Sequence, residues 1–437
     1  MKYSNIYPTL FVSVGMLIFT CLTYYPGILT VDSEYQLQQA IKFSFSDWHP
    51  PIMGLLWHFL NHIYQGPALM LLLHNLIFWA ALFLFSLWAF PERNLPRILL
   101  IIIFGLLPVN FAQLGIIIKD VAMTVCLFLA VMLLVFAGKS THKLTRIILC
   151  IITALLLFYA FAVRLNALPA VFVLGIWLFE VCFKTKMWRN ILLSLILMSG
   201  FYLANKVITY NILHARHYYP FQQVEIHDLA AISVANKQVI FPQYLAKLPR
   251  LTLANLTERY SPMCVCFLIF KDDKRDKLTP LSDKPENIAA LGKLWMKTII
   301  EHPWDYCKHR YATFKQLMIS CETYLGGTMA KLYETPAFPK FFYNTYNKIT
   351  SINFMKIFFR GWFYVINCIV IGVLTIIHRK KLVDARYMLY IAASGFIHVA
   401  LQILYVPSCE FRYLYWTAIA STMILVLFVK GILTSKN

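Results

Sequence analysis

The sequence predicts an all-α polytopic membrane protein with about ten transmembrane helices, an interfacial helix in the first outer loop and a small outer soluble domain. The 437 residues are 59% hydrophobic and only 14% charged, with a mean hydropathy of +0.63. Soluble domains are nearer half apolar and a quarter charged. Several runs also reach the roughly 20 apolar residues that a bilayer-spanning helix needs. This composition excludes a single soluble globular enzyme, and the short alternating segments of a transmembrane barrel do not dominate.

Ten apolar runs follow one another along the chain, and the basic residues between them predict their orientation. The runs are 7–25, 68–90, 98–116, 121–137, 147–163, 167–183, 191–210, 357–377, 387–406 and 413–434. With the N-terminus in the cytoplasm, 15 Lys and Arg residues fall in inside loops. The four short outside loops then carry only one each, which satisfies the positive-inside rule: Lys42, Lys119, Arg164 and Arg412.

The segment Pro50–Gly66 is apolar but short for a span, because only about 14 residues fit between its prolines and Gly66. Two histidines and an asparagine interrupt it. If it crossed the membrane, the basic clusters after it would lie outside. We therefore predict a helix lying at the outer interface. The first apolar run lacks a small-residue cleavage site and is predicted to be a retained anchor.

These spans divide the chain into three parts. Residues 1–210 form an N-terminal transmembrane module with the candidate catalytic loops, and residues 356–437 form C-terminal transmembrane helices. Between them, residues 211–355 form a hydrophilic region on the outer, periplasmic side. One or two disulfides are predicted in that oxidising compartment, with the pairing left open among Cys264, Cys266, Cys307 and Cys321.

The short outer loops concentrate the unusual residues. Charges at membrane depth are costly, so each requires a partner or a function. A desolvated carboxylate has a raised pKa and is a better general base, and Arg and Lys suit a phosphate. The pattern therefore predicts a base and a phosphate clamp at the outer interface, for a donor that is a lipid phosphate. The candidates are Asp32, Glu34, Asp47, His49, Lys119, Asp120, Arg164, Asn166, Glu410, Arg412 and Tyr413.

Structural roles are the alternative for several of these residues. Lys119 with Asp120, and Glu410 with Arg412, can neutralise each other at helix ends. By contrast, Asp32 has no basic residue within nine positions. No local charge therefore neutralises it, and a functional role is the stronger interpretation.

Other features of the sequence give weaker evidence of function. Asp47 can instead cap the interfacial helix. His214 and His217 have a helix-compatible spacing for a metal but no third ligand nearby. The net charge of +20 lies largely in inside loops, so no nucleic-acid partner is predicted. A nucleotide-driven pump or serine hydrolase is unsupported, because the sequence has no Walker loop, dinucleotide fingerprint or G-x-S-x-G.

The order of these motifs resembles the GT-C membrane glycosyltransferases that use polyprenyl-phosphate sugars, notably the protein mannosyltransferase and lipid A aminoarabinose transferase group. The matching segments are Asp32-Ser33-Glu34, His49-Pro50-Pro51 and Asp120. Two more look similar to less characterised bacterial members: Arg164-Leu165-Asn166 and Glu410-Phe411-Arg412-Tyr413. The resemblance covers about the first 170 residues and the last outer loop. Family members often have adjacent Asp-Glu, whereas Ser33 separates the two here. The catalytic position is therefore open between Asp32 and Glu34, with Asp32 favoured.

The resemblance implies a mechanism. Asp32 would deprotonate or hydrogen-bond an acceptor, which is a glycan, lipid or protein, and polyprenyl phosphate would leave with inversion at the anomeric carbon. His49 and Asp120 would orient the acceptor or the cations. No cofactor is required, although Asp32 and Asp120 together could hold a divalent metal. Membrane lipids surround the chain, which we place in the cell inner membrane with its active face periplasmic. The phosphate charge would be stabilised by Lys119, Arg164 and Arg412.

Two other classes of protein have similar spans. A transporter or flippase of lipid-linked sugars predicts charges buried in mid-span and two related halves, and neither is evident here. An O-antigen polymerase or ligase would place its key residues mainly in the late outer loop. Substitutions of Asp32 and of late-loop residues distinguish that class from a GT-C enzyme.

Overall fold

The computed structural model describes residues 5–270, 277–319, 348 and 352–434. Helices account for 77% of the structure, and the described residues contain no β-strand, only three isolated bridges. In this described part of the chain, eight helices are long and apolar enough to cross a membrane. The prediction of an all-α polytopic membrane protein is confirmed at this level.

Ten helices make up the N-terminal part. They are α1 Tyr7–Tyr24, α2 Val31–Lys42, α3 Pro51–Ile63, α4 Ala68–Ala89, α5 Asn94–Gly105, α6 Pro108–Leu114, α7 Lys119–Lys139, α8 Lys143–Val163, α9 Leu168–Phe183 and α10 Met187–Lys206. A π-helical turn, Val207–Ile212, extends α10, and the two together count as one candidate span.

Nine further helices follow among the described residues. They are α11 Gln222–Ala235, α12 Gln243–Ala246, α13 Leu253–Arg259, α14 Cys266–Ile269, α15 Pro285–Glu301, α16 Pro303–Ile319, α17 Gly361–Ile377, α18 Ala385–Ala400 and α19 Tyr415–Thr434. Short 3₁₀ turns, Leu401–Leu404 and Phe411–Leu414, flank the last outer loop.

Every predicted span has an apolar helix at its position, but two differ from simple spans. The third is broken into α5 and α6, which are bent by 66°. Pro108 begins α6, and proline restricts the preceding residue and cannot continue the helical hydrogen bonds. The eighth, α17, has only 17 residues. Over the residues described, the structure thus supports eight spans, or nine if the bent pair is one, and ten remains a prediction.

The segment that was predicted as the first outer loop is more ordered than expected. Residues expected to form a loop form α2, whose start is a capping box between Thr30 and Ser33, an arrangement that satisfies exposed helix N–H groups. The predicted interfacial helix is α3, which packs on α2 and has 13 residues. Both are shorter than a span requires.

Helix α7 lies at the centre of the membrane part. Between Lys119 and Ala137 nearly all of its side chains are buried. The ring of Phe128 lies about 6 Å from three other aromatic rings of the core, Phe78, Phe85 and Phe104. Because α7 rises about 1.5 Å per residue, its two terminal lysines lie at opposite ends of the bundle.

A short backbone pairing places α2 beside the start of α7. Ile28 N–H donates to Gly115 O at 2.9 Å, and Ile117 N–H donates to Ile28 O at 3.0 Å. Gly27 makes the preceding turn with φ +122°, a conformation that favours glycine. The hydroxyl of Ser33 also donates to Ile117 O. These contacts bring the first turn of α2 next to the N-terminal end of α7.

The region between α10 and α17 has a hydrophobic cluster of its own. Its buried members come from α11 to α15 and their connections, and they include Ile226, Leu229, Leu245, Leu256, Leu268 and Leu291. This cluster is separate from the main core, as a small domain would require. The predicted limits of 211–355 extend into residues outside the described part of the chain.

Candidate active site

One cavity of about 490 Å³ lies at the end of the bundle where α7 begins. Nine of the eleven predicted site residues line it, and they come from all four predicted outer loops. They are Asp32, Asp47, His49, Lys119, Arg164, Asn166, Glu410, Arg412 and Tyr413. Residues separated by up to 380 positions therefore face the same space.

Arg412 is the centre of the charge network. Its Nη1 donates to Asp32 Oδ2 at 2.9 Å, and its Nε lies 2.6 Å from Glu410 Oε2 and 3.8 Å from Asp120 Oδ2. The guanidinium side chain is only 8% exposed. The predicted pairing of Glu410 with Arg412 is present, and the same guanidinium also holds Asp32 at the cavity wall.

Asp120 contacts two arginines that line the cavity, Arg164 and Arg412. It is fully buried and does not line the cavity. Its Oδ1 lies 2.9 Å from Nε of Arg164, and that guanidinium stands over the ring of Tyr413 at 4.9 Å. The alternative role, in which Lys119 and Asp120 neutralise each other, is not the pairing seen in the described residues: successive residues at a helix start point in different directions, and the ion-pair partner of Asp120 is Arg164.

Lys119 has a different kind of partner. Its ammonium nitrogen lies 2.6 Å from Nδ1 of His49, and among the described residues no carboxylate oxygen lies within 4.0 Å of it. An ammonium can only donate, so Nδ1 accepts and the imidazole proton resides on Nε2. That Nε2 faces Oδ1 of Asp32 at 3.8 Å. Lys119 is thus a buried cation that lines the cavity, and its neighbour is the neutral ring of His49.

The electrostatics of the site hold Asp32 ionised and His49 neutral. Burial opposes ionisation of Asp32, but the charges of Arg412 and Lys119 outweigh it and keep the pKa of that carboxyl well below its usual range. Burial, followed by the charge of Lys119, lowers the pKa of His49 well below its usual value. The expectation that desolvation raises the pKa of the site carboxylate is therefore wrong for Asp32, because nearby cations decide the sign.

The lowered pKa of His49 predicts a loss of stability in mild acid. Below pH 6.5 the unfolded chain binds a proton at this histidine and the folded chain does not, so stability falls as pH falls. From pH 7.5 to 5.5, we expect wild type to lose about 1 kcal/mol more than His49→Gln. Asp32 does not interfere, since its contribution is lost only below its unfolded pKa of about 4. Unfolding in one detergent at both pH values measures this, and equal losses would show that folded His49 is protonated.

Two predicted residues have other surroundings. Asp47 accepts hydrogen bonds from the backbone N–H of Tyr218 at 2.6 Å and from the hydroxyl of Tyr210 at 3.1 Å. The N-cap of α3 is Pro50, without a side-chain cap, so the capping role predicted for Asp47 is wrong. Glu34 is exposed on α2 and does not line the cavity.

The residues do not fit the metal that Asp32 and Asp120 were predicted to be able to share. The guanidinium of Arg412 lies 2.9 Å from an Asp32 oxygen and 3.8 Å from an Asp120 oxygen, so a cationic side chain already stands between them. In the part of the chain that the structure describes, no three His, Cys, Asp or Glu residues are grouped to hold a metal ion.

The region between α10 and α17, which was predicted to lie outside, supplies a wall of the cavity that sequence patterns did not indicate. Val265 N–H donates to Pro407 O at 3.0 Å, and Cys409 N–H donates to Met263 O at 2.7 Å. Cys264 and Cys266 form a disulfide at this wall. Cys307 is a free cysteine, and Cys321 lies outside the described residues. The sequence marked Cys264 and Cys266 only as two of four candidates for a disulfide, not as part of a cavity wall. The apolar wall residues include Phe221, Val224, Val265, Phe270 and Val406.

A buried ion pair joins the region between α10 and α17 to the segment that connects α18 and α19. Asp228 is fully buried, and its Oδ2 accepts hydrogen bonds from Nη2 of Arg310 at 2.6 Å and from the indole N–H of Trp295 at 2.8 Å. Nη1 of the same guanidinium donates to Val406 O at 3.3 Å. Arg310 therefore bridges α11 and the segment that leads to Arg412.

The substitution Arg310→Lys tests this bridge. An ammonium can keep the ion pair with Asp228 but does not reproduce the fork that reaches two acceptors. We expect a loss of about 1 kcal/mol in the free energy of unfolding and faster amide hydrogen exchange in residues 405–413. Unchanged exchange there would contradict the bridging role. Lys308→Gln, at an exposed position beside it, is the matched control.

The chain matches no protein-family model, and no curated protein or solved structure is significantly similar to it.

Proposed function

We propose that this protein is an integral membrane glycosyltransferase that moves a sugar from a polyprenyl-phosphate donor to an acceptor, with inversion. The observation that carries the proposal is that the Asp32 carboxylate and the Lys119 ammonium face one cavity at the end of the membrane helices. A carboxylate suits the acceptor hydroxyl or amine, and a cation suits a phosphate. The resemblance to GT-C enzymes supports the same assignment.

In the proposed reaction, Asp32 accepts a hydrogen bond from the acceptor. The acceptor oxygen or nitrogen bonds to the anomeric carbon while the bond from that carbon to the phosphate oxygen breaks. The phosphate leaves with the electron pair, and the acceptor proton passes to Asp32. The free carboxylate is a weak base, but a bound anionic donor offsets the cations and raises its pKa.

The cations divide into two kinds. Arg164 and Arg412 are paired with carboxylates, so their charges are largely balanced before a ligand binds. Among the described residues, Lys119 has no carboxylate oxygen within 4.0 Å, and its hydrogen-bond partner is a neutral imidazole. We therefore assign the main contact with the leaving phosphate to Lys119, where a preorganised charge in a site of low dielectric is most effective.

The surroundings of the cavity suit a lipid donor. Apolar side chains of the outer region and the last outer loop line one wall, and this wall adjoins helices that are apolar enough to cross a membrane. The excess of basic residues in the predicted inside loops supports a periplasmic active face in an inner membrane. The acceptor is proposed only as a glycan, lipid or protein.

A donor panel tests the proposal. Wild type and Asp32→Asn are reconstituted in vesicles with several polyprenyl-phosphate sugars, and the release of free polyprenyl phosphate is followed with and without candidate acceptors. Release that depends on Asp32 supports the transferase. Movement of intact sugar lipid across the bilayer without release would instead support a flippase. Activity that depends only on residues of the large hydrophilic region, 211–355, would support a polymerase or ligase.

A further inference from the structure

A second, smaller pocket lies between α2 and the segment that follows α10. Its volume is about 160 Å³. The lining comes from two stretches of chain that are distant in sequence. These residues are Tyr35, Gln38, Gln39, Lys42, Ser44, Phe45, Ser46, Arg216 and Tyr218.

The charge of this pocket differs from that of the main cavity. Its lining contains two cations, Lys42 and Arg216, and no carboxylate. Among the described residues neither cation has a carboxylate oxygen within 4.0 Å, whereas Arg164 and Arg412 each do. The nearest carboxylate along the chain, Asp47, is held by Tyr218 N–H and Tyr210. Among the described residues, the positive charge of this pocket therefore has no carboxylate partner.

The backbone around the pocket is fixed. Arg216 N–H donates to Phe45 O at 3.0 Å, and Asp47 N–H donates to Arg216 O at 2.9 Å, so the two stretches are paired at this point. Lys42 is the last residue of α2. The two cations are thus carried by backbone segments that are joined to each other.

Polar groups form the floor. The Gln39 amide nitrogen donates to Ser46 Oγ at 2.8 Å, and both side chains are buried. Because Ser46 accepts that bond, its own proton is available for another acceptor. The hydroxyl of Tyr35 lies 3.4 Å from the same oxygen. A group with several acceptor oxygens suits this floor.

The pocket lies at the end of a membrane span. The span that includes α10 ends at Ile212, four residues before Arg216. Around the pocket, the side chains of Tyr35, Phe43 and Tyr218 are exposed by 40%, 52% and 38%. Exposed aromatic residues next to the end of a span are typical of the level of lipid headgroups.

We propose that this pocket binds the phosphate group of an anionic membrane lipid. Arg offers a planar fork and Lys a point charge for phosphate oxygens, and basic residues at headgroup level attract anionic lipids. The acyl chains would extend along the apolar surface of α10. This proposal does not depend on the glycosyltransferase assignment.

The bound lipid would adjoin the main cavity. The ring of Tyr35 meets the ring of His49 edge-on, with their centroids 5.8 Å apart, and the Tyr218 backbone binds Asp47. Both tyrosines line the pocket, and both partners line the cavity. A lipid here would therefore support one wall of the candidate active site.

Lipid retention by the purified full-length chain tests the proposal. The protein is exchanged into nanodiscs of phosphatidylcholine alone or with phosphatidylglycerol, and binding of labelled phosphatidylglycerol is measured. We expect the variant Lys42→Gln/Arg216→Gln to bind at least tenfold more weakly than wild type. Lys42→Arg/Arg216→Lys, which keeps both charges, should retain binding, as should the surface control Lys247→Gln/Lys284→Gln.

Each other outcome decides against the proposal. Equal binding by wild type and Lys42→Gln/Arg216→Gln would overturn it, provided that this variant unfolds at the same temperature as wild type. If the glutamine variant does not fold, loss of binding in the charge-keeping variant would overturn it instead. Inorganic phosphate that competes as well as phosphatidylglycerol headgroups would show that the pocket takes free phosphate rather than a lipid.

Discussion

Asp32→Asn is expected to lower the rate of transfer by about a hundredfold to ten-thousandfold, the range that a positioned acid or base contributes. Asparagine has nearly the same shape and can still accept a hydrogen bond from Arg412, but it cannot take a proton. The free energy of unfolding should fall by only about 1–2 kcal/mol, because Arg412 keeps Glu410 and Asp120 as partners. Release of polyprenyl phosphate and detergent unfolding measure the two effects.

Two matched variants on the same helix define what this loss means. Glu34→Gln removes a carboxylate that is exposed two residues away, and it should leave transfer within about twofold of wild type. Asp32→Glu keeps the charge and should retain part of the rate. A large loss in Glu34→Gln with normal transfer by Asp32→Asn would reverse the assignment between these two carboxylates.

The location of the candidate site could be predicted because charged residues are rare next to membrane-spanning segments and therefore stand out in the sequence. Lys119, Asp120 and Arg164 each stand between apolar runs that admit no other charged residue nearby, and the positive-inside rule assigns the loops to one face. Helices of a bundle then bring loops on one face together. The cavity that these loops share follows from topology, without knowledge of any contact.

The pairing inside the site could not be predicted, because it depends on distance in space. Asp32 has no basic neighbour in sequence, yet Arg412 contacts it from 380 positions away. That contact also reversed the sign of the expected pKa shift. Sequence proximity likewise suggested Lys119 for Asp120, whereas the end of α8 places Arg164 there.

Sequence patterns also could not predict the break between α5 and α6 or the contacts of the region between α10 and α17. A hydropathy average over residues 98–116 cannot distinguish one span from two helices bent by 66°. The outer region has no membrane-length runs, and its contribution depends on buried polar contacts such as Asp228 with Arg310. Such contacts have no periodic signature, since each partner can come from any element.

Lys119→Met is expected to lower activity and to raise stability. The ammonium is buried, and its hydrogen-bond partner among the described residues is a neutral imidazole, so the folded state bears a desolvation cost that an apolar side chain of similar length removes. We expect the free energy of unfolding to rise by about 1 kcal/mol. Transfer should fall by at least a hundredfold, because the developing phosphate charge loses a preorganised partner.

The other end of the same helix supplies the control. Lys139 lies 3.1 Å from Asp384, so Lys139→Met deprives a partly buried carboxylate of its nearest cation and should lower stability while leaving transfer intact. If Lys119→Met raises the free energy of unfolding and Lys139→Met lowers it, then Lys119 serves function at the expense of stability, whereas Lys139 stabilises the fold. If Lys119→Met also destabilises the protein, then Lys119 has a structural partner, and the phosphate contact must be reassigned to Arg164 or Arg412.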